Sequence, residues 1–341
     1  MAKKWENSPF LKACKLQATR FTPVWLMRQA GRYMKEYRDI REKTSFLDLC
    51  KNKDLVTQVT VHAQEKIKAD AAIIFSDILL ILEPLGLKLQ YLEGGGPSIG
   101  NPIRLARHVE MLRPARPAES LSFVFDAIRQ TRAALKEEIP LIGFAGAPFT
   151  LSSYMIEGGS SKDFTRTKNL MKDAVLWETL MEKMVAATTE YLNLQIEAGV
   201  QAVQLFDSWA GQLTAEEYER YVLPHSKKVI LGIKAGVPVI HFSTRTGPYL
   251  ELLSKAGGQV IGVDHRLRLD DAWEKIGPSK AIQGNLDPKI LCCNTTVIKK
   301  EIKKILEQAD RRAGHIFNLG HGVLPETPVE NAIAAVEIVH E

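Results

Sequence analysis

No stretch of this chain approaches the roughly 18 consecutive apolar residues that a bilayer-spanning helix needs, so no membrane partner is expected. Cysteine is scarce: Cys14, Cys50, Cys292 and Cys293 are the whole complement. None stands in a C-x-x-C pair, and the adjacent Cys292 and Cys293 are poorly placed to bridge each other or to share a tetrahedral metal with the other two. Reduced thiols in a cytoplasmic setting are the expectation. The opening Met1-Ala2-Lys3-Lys4-Trp5-Glu6-Asn7 agrees, because no apolar stretch follows its basic residues as in a secretory signal. There is no basic run with interleaved aromatics and no zinc-finger or RNA-binding fingerprint, so no nucleic-acid partner is expected either. A linker rich in proline, glycine or serine is also missing, as is any short-period repeat, which points to one domain.

What the chain does have is 45% hydrophobic residues over 341 positions, enough for a large core, and a mild net charge of +5. A modest positive balance suits an acidic small molecule, since a cleft lined by one sign of charge steers the opposite sign into it. Short apolar or β-branched runs recur at Val24–Arg28, Ala71–Phe75, Leu141–Ala145, Ala202–Phe206, Val237–Phe242, Gln259–Val263, Ala281–Gly284 and Ile316–Leu319. They are nearly continuous in hydrophobicity, as expected of parallel strands covered on both faces. Amphipathic stretches lie between them: Leu55, Val56, Val59, Ala63 and Ile67 mark one face, and a longer pattern runs from Phe164 to Ala198. Thr327-Pro328-Val329-Glu330 reads as a capped helix start, with Thr327 accepting from an early amide and Pro328 at the first helical position. Eight strands alternating with helices predict an α/β chain folded as a single-domain (β/α)8 TIM barrel. Leu87–Ile103, with Gly94-Gly95-Gly96-Pro97, reads as an inserted loop or hairpin. Its glycines lack the Lys-Ser/Thr of a nucleotide loop and are ordinary turn chemistry.

In such barrels chemistry collects where the C-terminal strand ends meet the following loops. Every exit here is polar: Arg28-Gln29-Ala30-Gly31-Arg32, Ser76-Asp77, Gly146-Ala147-Pro148 followed by Tyr154, Asp207-Ser208, Ser243-Thr244-Arg245, Asp264-His265-Arg266, Asn285-Leu286-Asp287 and Gly320-His321-Gly322. Arg28 and Arg32, four apart with small residues between them, suit planar two-point binding of carboxylates, with Arg38 and Arg41 close behind. Spacing alone reads them equally as a solvated surface elbow. Asp77 at the mouth of an apolar shaft can meet N–H donors or developing positive charge, or simply cap the next helix. His321, Tyr154 and Ser208 are candidate donors, each also readable as an ordinary structural residue. Asp207, Asp264 and Asp287 invite a magnesium site, against which the arginine-rich first loop argues.

Several of these segments resemble one family. Pro23-Val24-Trp25-Leu26-Met27-Arg28-Gln29-Ala30-Gly31-Arg32-Tyr33 is similar to the N-terminal signature of the uroporphyrinogen decarboxylases. Phe75-Ser76-Asp77-Ile78, Gly146-Ala147-Pro148-Phe149-Thr150, Tyr154 with Glu157-Gly158-Gly159, Gln204-Leu205-Phe206-Asp207-Ser208, Gly284-Asn285-Leu286-Asp287-Pro288 and Asn318-Leu319-Gly320-His321-Gly322 follow in the family's order. The resemblance runs from about Phe10 onward and implies a homodimeric (β/α)8 enzyme of haem biosynthesis. Such an enzyme converts uroporphyrinogen III to coproporphyrinogen III by removing four acetate carboxyls, without metal or organic cofactor. Carried over by motif, Asp77 would bind the central pyrrole N–H groups and, with Arg28, act in catalysis. Arg28, Arg32 and Arg41 would contact carboxylates or assist proton transfer, Gln29, Ala30 and Gly31 would line the first loop, and Tyr154, Ser208 and His321 would complete the pocket. Lys35 departs from the family's usual proline after the Arg-Tyr-Met run, which alters the loop rather than a ligand contact.

A related class of the same fold, zinc-dependent methyltransferases that act with cobalamin or coenzyme M, needs a His-x-Cys at a strand end. The matching run here is His241-Phe242-Ser243, with serine in place of the thiolate, and the cysteines read as remote from the mouth. A tetrapyrrole carrier without chemistry would have no use for Asp77 and the arginines.

Overall fold

The structure is a computed structural model and describes residues 3–92 and 96–341. Seven parallel strands form a curled sheet in the order β1 (Ala72–Ile73), β4 (Leu141–Gly146), β5 (Ala202–Asp207), β6 (Val239–Ser243), β7 (Val260–Gly262), β8 (Ala281–Gln283) and β9 (His315–Ile316). Strands β2 (Leu89–Tyr91) and β3 (Pro97–Ile99) make a separate antiparallel pair. Of the glycine turn read at Gly94-Gly95-Gly96-Pro97, Gly94 and Gly95 lie outside the described residues. The central strands are buried along almost their whole length, β4 without exception, because helices cover one face and packed side chains fill the other.

The first expected strand, Val24–Arg28, does not form. Its extended backbone is limited to an isolated parallel bridge between Val24 and Phe317. The chain turns at once, with Gln29 N donating to Leu26 O at 2.9 Å and Arg28 in the left-handed region at φ 63°. The second run shortens to Ala72–Ile73 because the backbone leaves the sheet, Phe75 N turning to Thr60 Oγ1 at 3.0 Å. A further correction concerns the last helix, Val329–His340. Its N-cap is Pro328 and makes no side-chain cap bond, while the Thr327 hydroxyl is turned to Cys292 Sγ at 3.8 Å. The pattern from Phe164 to Ala198 splits into Thr165–Met171 and Ala174–Ala198, because Asp173 caps the second helix by accepting from Leu176 N at 3.1 Å.

The early end of β1 leaves a gap beside β4. In a parallel ladder alternate residues bond to the same neighbour; Ile142 O accepts from Ile74 N, and Phe144, two residues on, has no strand left to meet. Gln195, buried on the long helix, fills the gap, its Oε1 accepting from Phe144 N at 2.9 Å and its Nε2 donating to Phe144 O at 2.8 Å. Gly143 makes room, since a Cβ there would stand 2.5 Å from Gln195 Oε1. Gln195→Ala strands two buried backbone groups at once and is expected to lower stability by about 2 kcal/mol or more. Urea unfolding measures this, and a loss under about 0.5 kcal/mol would mean that water or a neighbour substitutes for the amide.

Candidate active site

The polar residues at the strand exits gather at one end of the sheet. The first loop is braced before it reaches Arg28. Met27 N donates to Asn318 Oδ1 at 2.9 Å and Val323 N donates to Met27 O at 2.8 Å, so the loop after β9 holds the loop before Arg28. Gln29 is buried and its amide ties the loop to the segment before β1, Oε1 accepting from Leu26 N at 3.2 Å and Nε2 donating to Ala71 O at 3.2 Å. Ala30 packs against the core, and Gly31 closes a tight turn in which a Cβ would sit 3.0 Å from Arg28 O. The Arg28 side chain lies flat across Gly322, where a Cβ would meet its Cδ at 2.4 Å. The backbone of Arg28 is left-handed, a conformation that a non-glycine residue adopts where its surroundings impose it, while its side chain is exposed.

Arg28 is within electrostatic reach of Asp77, Tyr154 and His321, which enter from three other exits. Asp77 is half-buried; burial raises its pKa, against which the Tyr91 hydroxyl, Leu79 N and the Arg28 guanidinium favour the carboxylate. Its Oδ1 accepts from Leu79 N at 2.7 Å. The two readings of Asp77, local cap and site acid, are therefore compatible: one oxygen anchors the turn and thereby aims the other. Tyr154 projects from helix Pro148–Glu157 and its ring lies 3.8 Å from that of Trp209, the neighbour of Ser208. Burial, then the Asp77 charge, keeps the Tyr154 phenol protonated. Ser208 follows β5, and its carbonyl accepts from Thr244 Oγ1 at 2.8 Å. His321 has its pKa lowered by burial first and then by the nearby Arg28 and Arg266 guanidiniums, against a smaller opposing effect of Asp264, so its imidazole is neutral near pH 7.

The other two arginines sit farther round. Arg32 is exposed, while Arg41 is half-buried, donates to Thr44 O and lies 5.7 Å over the Phe46 ring. Both reach Tyr37 rather than Asp77 directly. Lys35, the departure noted above, is the first residue of helix Lys35–Arg41 and pairs with Asp39 at 2.6 Å. That is a position where proline is equally at home, so the loop is little changed.

The acids proposed for magnesium are engaged otherwise. Asp207 is fully buried and accepts from Thr150 and Ser226, Asp264 accepts from Arg245 N at 2.7 Å, and Asp287 caps the turn at Lys289. A zinc centre on His241-Phe242-Ser243 does not fit: Ser243 Oγ donates to Asp207 O at 2.9 Å and His241 is fully buried. Glu178, Glu182 and His225 on outer helices bring their donor atoms within 4.8 Å, but Lys228 already ion-pairs with both carboxylates. One expectation about the cysteines needs correction. Cys50 is not remote from the mouth but lies within reach of the Asp77 charge, buried, with its thiol pKa raised chiefly by that burial. Two further residues had no signal in the sequence, Tyr91, facing Asp77 from β2, and Trp209, backing Tyr154; Asn318, which holds the first loop, stood in a matching motif but without a role.

A curled parallel sheet that gathers arginine, aspartate, tyrosine and histidine groups at its C-terminal end has the arrangement of an α/β enzyme. The chain belongs to the uroporphyrinogen decarboxylase family: the family model "Uroporphyrinogen decarboxylase (URO-D)" matches residues 5–341. A uroporphyrinogen decarboxylase of Carboxydothermus hydrogenoformans is 52% identical over 337 residues, covering 98% of this chain and 96% of the relative. The same enzyme of Sorangium cellulosum is 49% identical, covering 97% of this chain and 95% of the relative. Among solved structures, a methyltransferase from Methanosarcina mazei superposes with a TM-score of 0.80 at 19% identity, covering 97% of each chain. A putative vitamin-B12 independent methionine synthase from Listeria monocytogenes gives 0.58 at 13%, covering 95% of this chain and 96% of that one. At those identities the likeness is one of fold alone.

The neighbourhood of His321 can be checked without substrate. Its imidazole is expected to titrate below the ordinary 6.5 in an NMR pH series, and Arg28→Gln is expected to move the midpoint upward by removing a nearby cation. A midpoint at or above the ordinary value, unmoved by the substitution, would separate the two residues.

Proposed function

We propose that this chain removes the four acetate carboxyls of uroporphyrinogen III as CO2, giving coproporphyrinogen III for haem synthesis. The observation that carries the reading is Asp77, aimed by Leu79 N and faced by Arg28 and Tyr154, in a chain about half identical to named decarboxylases over nearly its whole length. In this reading Asp77 accepts the pyrrole N–H groups at the centre of the macrocycle, and Arg28, Arg32 and Arg41 bind the carboxylate arms. The loop Gln29-Ala30-Gly31, Tyr154, Ser208 and His321 form the rest of the wall. Gln29 contributes backbone and loop shape, since its side chain is already bonded.

The chemistry suits these groups. A proton delivered to a pyrrole ring carbon, by Arg28 or a water, makes a cation that takes up the electron pair of the breaking C–CO2 bond. A second proton then turns the exocyclic carbon into methyl, and the ring carbon gives its own proton back. The pyrrole is thus its own electron sink, so neither a metal nor an organic cofactor has a step to perform. Asp77 stabilises the cation, and a partly dehydrated site strengthens that attraction. We also read the chain as one domain in which residues 23–25 act as the stave that closes an eight-membered barrel. Phe317 N donates to Pro23 O at 2.8 Å on one side, and Asp70 N donates to Val24 O at 2.8 Å on the other. A homodimer in the cytoplasm completes the reading.

Anaerobic incubation with uroporphyrinogen, followed by oxidation and chromatographic counting of carboxyls, tests the activity directly. Asp77→Ala is expected to lose at least ~100-fold in turnover with its fold intact. Near-normal turnover by the folded variant would take Asp77 out of the mechanism. Arg32→Lys keeps the charge but not the planar fork, and is expected to raise KM clearly. Unchanged KM and rate would make Arg32 part of a solvated elbow.

A further inference from the structure

The β2–β3 hairpin lies outside the parallel sheet, and nothing above gives it a task. It is firmly held. Ile99 N donates to Gly158 O at 2.9 Å, Ile103 N donates to Met155 O at 2.8 Å, and Ser98 bridges Gly159. These anchors all lie on or just beyond the helix that carries Tyr154. Along β2 the side chains alternate, Leu89 buried and Gln90 exposed, which turns Tyr91 inward. The Tyr91 ring lies 4.5 Å from Phe46, and Phe46 lies 6.0 Å from Phe75, two residues before Asp77. Its hydroxyl is buried and has no fully formed hydrogen bond, yet the acceptor it faces is the Asp77 carboxylate. A buried hydroxyl without a partner is costly and calls for an explanation.

We propose that Tyr91 is a positioning residue for Asp77, its hydroxyl donating from the hairpin to hold the carboxylate ionised and aimed at the pyrrole nitrogens. The proposal rests on the assignment of Asp77 made above. Asp77 is placed between opposing influences: burial favours its neutral acid, whereas Leu79 N, Arg28 and Tyr91 favour the carboxylate. The other groups facing it are Cys50, Tyr154 and Tyr191, all kept protonated mainly by burial. A protonated Asp77 accepts N–H groups more weakly and cannot offset a cation, so the donor on the hairpin, together with Leu79 N and Arg28, extends the working range to lower pH. The hairpin thereby becomes part of the catalytic apparatus.

Tyr91→Phe keeps the ring and its contact with Phe46 while deleting the donor. The acid limb of kcat/KM against pH is expected to move upward by about one pH unit. In the substrate-free enzyme, the 13C-carboxylate midpoint of Asp77 is expected to move in the same direction. Gln90→Ala, on the opposite face of β2, is expected to move neither. An unmoved limb and an unmoved midpoint in Tyr91→Phe would overturn the proposal, as would an equal shift in Gln90→Ala, which would assign the effect to the hairpin backbone. The parent assignment fails separately, through an active Asp77→Ala enzyme; an inactive Asp77→Ala with an unmoved Tyr91→Phe removes Tyr91 alone.

Discussion

Trp25 Nε1 donates to Gln283 Oε1 at 2.9 Å, and Gln283 Nε2 donates in turn to Gln204 Oε1 at 3.1 Å. All three side chains are buried, so this chain of bonds crosses the interior from the first segment to β8 and on to β5. Inside a protein such a run is strong when complete and costly when broken, because each member left unpaired carries its own desolvation penalty. Its consequence is positional. The segment before Arg28 is not a strand, and it is fixed instead by Trp25, by the bridge to Phe317 and by Asn318. These bonds fix the backbone from which Arg28 projects.

The site built on this frame is an arrangement of restrained charges. Asp77 is tied through Leu79 N, Arg28 lies against Gly322, and the pKa of His321 is lowered by burial and by Arg28 and Arg266. Preorganisation of this kind costs nothing at the moment of reaction, which is why fixed polar groups outperform mobile ones in stabilising a developing charge. Burial pushes Asp77 toward its neutral form, and the donors around the carboxylate act against it.

Much of the architecture was legible in the residues. The runs Leu141–Ala145 and Ala202–Phe206 lie within β4 and β5, because two-sided burial demands continuous apolar sequence, and that signal is strong. Val24–Arg28 misled for the same reason. Its apolar residues are buried as expected, but they are buried by a turn with an isolated bridge, and composition does not distinguish a buried turn from a buried strand. Thr327 has the chemistry of a helix cap yet spends its hydroxyl on Cys292, because the helix begins one residue too late for it.

By itself the sequence determined that the chain alternates strand and helix, that its strand exits are polar, and which family's motifs it carries. Those properties reside in residue type and order, where hydrophobic period and turn chemistry act locally. Only the tertiary structure decided that Arg28, Asp77, Tyr154 and His321 share one field, and that Cys50 lies near it. It also decided that the Gln29 amide is spent on Leu26 and Ala71, and that Tyr91 on a hairpin faces Asp77. Distance between residues far apart in the chain is set by packing, and so are burial and the charge states that follow from it.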